Sequence, residues 1–182
     1  MNFILNIDNS ILDFIQNNLR CSLLDKIMPI ITSLGNIGLL WIIIAIILLL
    51  TKKYRKYGII MGIALIIMLI FGNGILKNLF QRVRPYIANG FNDLLISKPI
   101  DTSFPSGHTY ASFASAGVLY YMNKKVGIAA YILASLIAFS RLYLYVHYPS
   151  DVLAGIILGI ITSFISIRIY NYFEKKKKVS LN

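Results

Sequence analysis

Between residues 3 and 19 apolar side chains return on a helical period, at Phe3, Ile4, Ile7, Ile11, Leu12, Phe14, Ile15 and Leu19, with Asp8, Asn9, Asp13, Gln16 and Asn17 between them. That pattern predicts an amphipathic helix lying in a membrane interface, with Asp8, Asn9 or Ser10 as its cap. Residues 27–50 are apolar except for Ser33-Leu34-Gly35-Asn36, which predicts a break. One crossing then lies mostly in 36–51, entered by a short helix over 23–34 that either re-enters the membrane or forms a sixth span. A second crossing, about 57–78, contains an unbroken apolar run over 59–71. A polar loop at 79–106 follows, and further spans are expected over about 107–122, 126–146 and 150–170. The first of these is short and carries Ala111, Ser112, Ala114, Ser115, Ala116 and Gly117, as suits a helix packed tightly inside a bundle. The expected fold is therefore all-α, a polytopic transmembrane helical bundle of five to six spans plus an N-terminal interfacial helix. It divides into residues 1–22 (interfacial helix), 23–174 (transmembrane domain) and 175–182 (basic tail), with no internal repeat.

Composition narrows the picture. The 182 residues are 57% hydrophobic and 14% charged, with a mean hydropathy of +0.70. A soluble domain is nearer 45–50% apolar and about 25% charged, so a water-soluble core and a disordered chain are both excluded. A bilayer core about 30 Å thick needs roughly 20 apolar residues per helix, which the runs above supply. The single cysteine, Cys21, excludes an internal disulfide and a cysteine-based metal cage. The N-terminal residues Met1-Asn2-Phe3-Ile4 lack the basic region of a cleavable signal peptide, and none is expected.

The net charge of +11 encodes orientation in a chain this hydrophobic, not nucleic-acid binding. Five spans put the 51–57 turn, the 122–126 turn and the tail on one face. That face carries Lys52, Lys53, Arg55, Lys56, Lys124, Lys125, Arg168 and Lys175 to Lys178 against the single acid Glu174. The opposite face nearly balances Arg20, Lys26, Lys77, Arg82, Arg84, Lys98 and Arg141 with six aspartates. By the positive-inside rule the first face is cytoplasmic, which puts the C-terminus in the cytoplasm and the 79–106 loop and 141–151 turn outside.

Those outer segments hold the chemistry. Lys77 and Arg84 flank the end of the second span, Ser106-Gly107-His108 opens the third, Arg141 closes the fourth, and His147 with Asp151 opens the fifth. Taken singly, each basic residue is an ordinary snorkelling side chain, Ser106 is an ordinary N-cap, and Asp151 an ordinary first-turn acid. Together, three cations and the unpaired amides of a helix N-terminus suit a phosphate, with Gly107 allowing close approach. His147 and Asp151 are spaced so that the carboxylate holds one ring nitrogen while the other presents a lone pair as nucleophile. His108 then protonates a leaving oxygen. Such a site asks for no metal and no cofactor. Arg82 and Lys98 are expected to stand apart from substrate.

Lys77-x6-Arg84-Pro85, Pro105-Ser106-Gly107-His108 and Ser140-Arg141-x5-His147-x3-Asp151 together resemble the three-part signature of the type 2 phosphatidic acid phosphatase and haloperoxidase superfamily, in its branch of small bacterial membrane lipid phosphatases. The resemblance implies a phosphohistidine on His147, oriented by Asp151, with His108 as general acid. Lys77, Arg84, Arg141, Ser106 and Gly107 would bind the phosphate. It further implies a lipid phosphate substrate: undecaprenyl diphosphate, phosphatidylglycerol phosphate or phosphatidate. The outward-facing site and the compact bundle without a soluble domain put undecaprenyl diphosphate first, with the other two as runner-up. Leu94-Leu95-Ile96 is expected to dip into the membrane and help choose the lipid. The rival from another class is a non-enzymatic lipid or anion transport protein, which would need the cations and not the histidines.

Overall fold

The computed structural model describes residues 2–179; the final residues 180–182 of the expected basic tail lie outside the described residues. Helix α1 (Asn2–Phe14) continues into a π-helical turn, Ile15–Leu19. Next come α2 (Ser22–Ser33), a 3₁₀ turn at Asn36–Gly38, and α3 (Leu39–Leu50). Helix α4 (Arg55–Ile67) runs through a π-helical segment, Met68–Leu76, into α5 (Lys77–Phe80). The short α6 (Pro85–Ala88), then α7 (Gly107–Met122), α8 (Lys124–Tyr143) and α9 (Pro149–Val179), complete the chain. No strand occurs among the described residues.

Helix α7 is the axle of the bundle, packed most extensively against α8 and α9. Residues 109–119 are all buried. The close approach of α9 depends on small residues: a Cβ at Gly159 would come within 2.7 Å of Phe113 Cβ and 2.9 Å of the Ala114 nitrogen. Two buried polar pairs lock neighbouring helices onto α7. Trp41 Nε1 donates to Ser112 Oγ at 3.0 Å, and the hydroxyls of Tyr110 and Thr162 share a 2.7 Å hydrogen bond. In an apolar surround such bonds are retained because the alternative is an unsatisfied polar group.

This is a membrane protein. Among the described residues three helical runs, Arg55–Ala88, Lys124–Tyr143 and Pro149–Lys177, are long and apolar enough to cross a bilayer. The pair Ser22–Ser33 and Asn36–Leu50, bent by 40°, makes a fourth if taken as one broken span. The five to six crossings expected from the pattern exceed this number because α7, at 16 residues, is shorter than a usual span.

The break at 34–38 falls where the polar tetrad predicts it. Ile37 (φ 56°) and Gly38 (φ 68°) both take left-handed backbone there. The basic residues of the α3–α4 and α7–α8 turns share one end of the bundle, where Lys56 Nζ lies over the rings of Tyr57 and Tyr121. The capping expectation for α1 is overturned. The helix begins at Asn2, so Asp8, Asn9 and Ser10 sit inside it, and the Ser10 hydroxyl donates back to the Asn6 carbonyl.

A second apolar cluster, separate from the bundle core, joins Leu12 and Ile15 to Met28, Tyr86 and the 143–148 turn. Leu94, Leu95 and Ile96, all half-buried, pack one side against it.

Candidate active site

Where α5 and α8 end and α7 and α9 begin, a cavity of about 640 Å³ opens. Six of the eight residues singled out in the sequence line it: Lys77, Arg84, Gly107, His108, Arg141 and His147. The other two, Ser106 and Asp151, are buried and do not line it. The Ser106 hydroxyl pairs with Thr109 Oγ1 at 2.9 Å and makes no cap to the backbone of α7, contrary to its expected N-cap role, while its N–H donates to the Asp151 carbonyl.

The cations are held in different ways. Arg84, 2% exposed, donates from Nε to the Asp101 carbonyl at 2.8 Å, from Nη2 to Asp101 Oδ1 at 2.6 Å, and from Nη1 to the Val146 carbonyl at 2.7 Å. Lys77 pairs with the other oxygen of the Asp101 carboxylate. Burial alone would raise the Asp101 carboxyl, but the hydrogen bond from Lys77 and the charge of Arg84 outweigh it and hold the group well below the ordinary carboxylate range. Arg141 differs. It is 3% exposed and donates from Nη1 to Thr32 Oγ1 at 2.5 Å, yet among the described residues its Nε has no partner and no carboxylate pairs with it. A buried cation without a counter-charge is costly, and the wall of an anion site is where that cost is offset.

His147 sits in the 144–148 turn, 1% exposed. Its Nε2 lies 3.1 Å from Arg84 Nη1. A guanidinium can only donate, so Nε2 accepts and the ring proton resides on Nδ1. Nδ1 faces Ser103 Oγ at 3.4 Å and Asp151 Oδ2 at 3.6 Å, and Ser103 Oγ donates to Asp151 Oδ2 at 2.5 Å. The serine therefore bridges histidine and carboxylate. Burial pushes the His147 pKa down to about 3; Asp151 opposes the shift, and Arg84 and Arg141 reinforce it. The ring is neutral at physiological pH, with its Nε2 lone pair aimed at the arginine-lined end of the cavity.

His108 has one polar partner, Asn36, whose Oδ1 accepts from Nε2 at 3.0 Å. Asn36 comes from the break between α2 and α3, and Gly35 beside it packs so close that a Cβ there would stand 2.6 Å from His108 Cδ2. Thr32, Asn36, Asp101 and Ser103 were not among the residues expected at the site. The one signal that pointed at part of this set was the polar tetrad at 33–36, read as a kink and not as a source of ligands. Arg82, expected to stand apart, reaches Asp151 Oδ1 at 2.6 Å from the side away from the cavity. No group of three or more His, Cys, Asp or Glu side chains stands in metal-holding geometry among the described residues.

The family model of the PAP2 superfamily matches residues 53–175. The undecaprenyl-diphosphatase of Sulfolobus acidocaldarius is 36% identical over 138 residues, covering 75% of this chain and 66% of its own length. The undecaprenyl-diphosphatase BcrC of Bacillus subtilis is 33% identical over 147 residues, covering 81% and 75%. Among solved structures, a transmembrane PAP2-type phosphatidylglycerolphosphate phosphatase from Bacillus subtilis superposes with a TM-score of 0.76 at 28% identity, over 97% of this chain and 88% of that one. Fold, site and relatives define a membrane-embedded phosphatase. The chain belongs to the PAP2 superfamily.

Proposed function

We propose that the protein releases the terminal phosphate of undecaprenyl diphosphate at the outer face of the cytoplasmic membrane, through a phosphohistidine on His147. The observation that carries the reading is the pairing, in one cavity, of a neutral imidazole with a buried Arg141 that lacks a counter-ion. In the mechanism, His147 Nε2 attacks the terminal phosphorus while the bond to the bridging oxygen breaks. His108, which takes up a proton as the bound phosphate offsets the charges of Arg141, Arg84 and Lys77, gives it to that oxygen, and undecaprenyl phosphate leaves. Water then attacks the phosphorus, giving its proton to His108, and the P–N bond breaks to release inorganic phosphate. Asp151, directly and through Ser103, holds Nδ1–H and balances the imidazolium that develops. Arg84, Arg141 and Lys77 stabilise charge on the equatorial oxygens, with the phosphate taking over the Asp101 carboxylate's place on Lys77 and Arg84. Gly107 leaves room for the phosphate at the start of α7, and Ser106 fixes that start against α9. No step draws on a metal or a cofactor.

The substrate choice rests on the names of the two undecaprenyl-diphosphatase relatives and on the cavity wall. Ile37 and Leu69 line the cavity and are exposed on the surface of the bundle, which gives a long apolar tail a path sideways into the bilayer. The orientation rests on the charge asymmetry, with α7 counted as a fifth crossing and the lysine-rich end of α9 cytoplasmic. One transmembrane unit over 23–174 then stands between an interfacial helix and a basic tail. Hydrolysis of phosphatidylglycerol phosphate is the second reading, favoured by the superposition over nearly the whole chain.

The test is phosphate release by detergent-purified protein in excess EDTA, from undecaprenyl diphosphate, phosphatidylglycerol phosphate and phosphatidate in parallel, beside His147→Ala. Release by the wild type alone, highest on undecaprenyl diphosphate, is expected. Preference for phosphatidylglycerol phosphate would select the second reading. A folded wild type silent on all three would leave the transport protein as the better account.

A further inference from the structure

Asp8 is 2% exposed, although it sits in α1, whose remaining surface carries the exposed Phe3, Ile4, Ile7, Ile11 and Phe14. A carboxylate buried on an interfacial helix is costly unless fully paired. Asp8 is. Its Oδ1 accepts from the Ser150 N–H at 2.8 Å; its Oδ2 accepts from the Ser150 hydroxyl at 2.6 Å and from Arg82 Nη2 at 2.7 Å. The same guanidinium donates from Nη1 to Asp151 Oδ1 at 2.6 Å and lies 4.0 Å over the ring of Tyr148. Oδ2 of Asp151 is committed to Ser103 and to the Tyr148 N–H, so Arg82 fixes the remaining oxygen and with it the plane of the carboxylate. Helix α1 reaches the histidine turn elsewhere too. Gln16, in the turn that extends it, donates to the Tyr143 carbonyl at 2.8 Å, and Leu12 and Ile15 share the apolar cluster of the 143–148 turn.

We propose that Asp8 and Arg82 are positioning residues for the His147–Asp151 pair, which makes the interfacial helix a working part of the phosphatase site and not only a membrane anchor. The proposal rests on the function proposed above. Its physical content is that one guanidinium, clamped between two carboxylates, sets both the orientation and the charge balance of the one that faces His147. The charged and titratable groups facing His147 are Arg84 before α6, His108 on α7, Arg141 on α8 and Asp151 on α9. Removing the Arg82 charge leaves the Asp151 anion less compensated and so raises the His147 pKa.

The experiment measures kcat, KM and the pH dependence of kcat/KM for full-length Asp8→Asn, Arg82→Gln, Arg82→Lys, the double variant Asp8→Asn/Arg82→Gln, and Asp13→Asn as the exposed control on α1. Loss of orientation at the pair is expected to lower kcat about 100-fold in Arg82→Gln and about tenfold in Asp8→Asn, with KM changed less than about twofold. The double variant is expected to be no worse than Arg82→Gln, because Asp8 acts through the arginine. The acid limb of Arg82→Gln moves to higher pH, Arg82→Lys restores the wild-type limb, and Asp13→Asn matches wild type. Losses that fall on KM, an additive double variant, or an unmoved acid limb would overturn the proposal and leave a structural staple. An active wild type with Asp8→Asn and Arg82→Gln equally active overturns this proposal alone. A folded wild type with no phosphatase activity overturns the function and this proposal together.

Discussion

The stretch 77–151 and the stretch 2–38 meet at the same polar end of the bundle and contribute different things there. From the first come Lys77, Arg84, His108, Arg141 and His147, all on the cavity wall. From the second come Thr32 against Arg141, Gly35 and Asn36 against His108, and Asp8 behind Asp151 through Arg82. The first set can touch a phosphate; although Thr32, Gly35 and Asn36 also reach the wall, the second set holds the groups that do. The PAP2 superfamily model begins at residue 53, after all of the second set. Chemistry can therefore be carried by a short shared signature while its alignment is built from a part of the chain that the shared model does not cover. Substitutions in the two stretches should differ in kind as well as in size.

The largest effect belongs to the signature. His147→Ala removes the group that would form the covalent intermediate, and kcat should fall by at least about 1,000-fold, read as phosphate release with the melting temperature in detergent unchanged. The same residue sets a pH expectation. A base whose pKa is pushed down to about 3 keeps its lone pair until the pH falls that far. The acid limb of kcat/KM that belongs to His147 should therefore lie near pH 3 and not near the ordinary imidazole value of about 6.5. Loss of activity centred near pH 6.5 in the free enzyme would mean that the ring is more solvated than the structure places it.

Next in size is Arg141→Gln. It takes a full charge from the cavity wall and replaces a planar donor array with a single amide, so a loss of about 100- to 1,000-fold in kcat is expected. Thr32→Val sharpens the comparison at the same point. It deletes only the acceptor contributed by the N-terminal stretch, and if that stretch aligns rather than reacts the loss should be near tenfold or less.

Gly35→Ala probes the N-terminal stretch directly. The new methyl would stand 2.6 Å from His108 Cδ2 and 3.1 Å from Ile137 Cγ2. The histidine ring must turn or the break must open, and a displacement of about 1 Å at a general acid costs on the order of 100-fold. The loss should be smaller on a substrate with a good leaving group such as p-nitrophenyl phosphate, which needs little proton donation. Equal losses on both substrates would show that the break supports the whole cavity rather than His108.

Much of this arrangement could be read before any coordinates, and the reasons are local. The break at 33–36, the small-residue helix α7 and the amphipathic α1 each follow from periodicity and residue size, which a chain displays directly. The three signature segments show because their residues are chemically unusual at the ends of apolar helices. Ser103 was not legible, since a serine in a loop has no pattern until the fold sets it between His147 and Asp151. Arg82 looked like one more basic residue near a span end; only the docking of α1 turns it toward two carboxylates. The number of crossings was less legible, because α7 has the position of a span and not its usual length: its burial comes from neighbouring helices rather than from lipid.

The smallest expected effect falls on a residue of the signature stretch that the signature itself omits. Asp101 is half exposed, and its carboxylate bonds both Lys77 and Arg84, two of the three cations that would hold the phosphate. An incoming phosphate must therefore exchange with a carboxylate already in place. Asp101 itself is half open to water, which screens its hold on the two buried cations, so the exchange is a competition and not a lock. Asp101→Asn keeps the shape and removes the charge, and KM and the inhibition constant of inorganic phosphate should both fall about two- to fivefold while kcat stays within twofold. The sign is the informative part. A rise in KM would mean that Asp101 holds Lys77 and Arg84 in place for substrate, in the way that Thr32 holds Arg141. A loop carboxylate of the signature stretch would then belong, by its work, with the aligning residues of the N-terminal stretch.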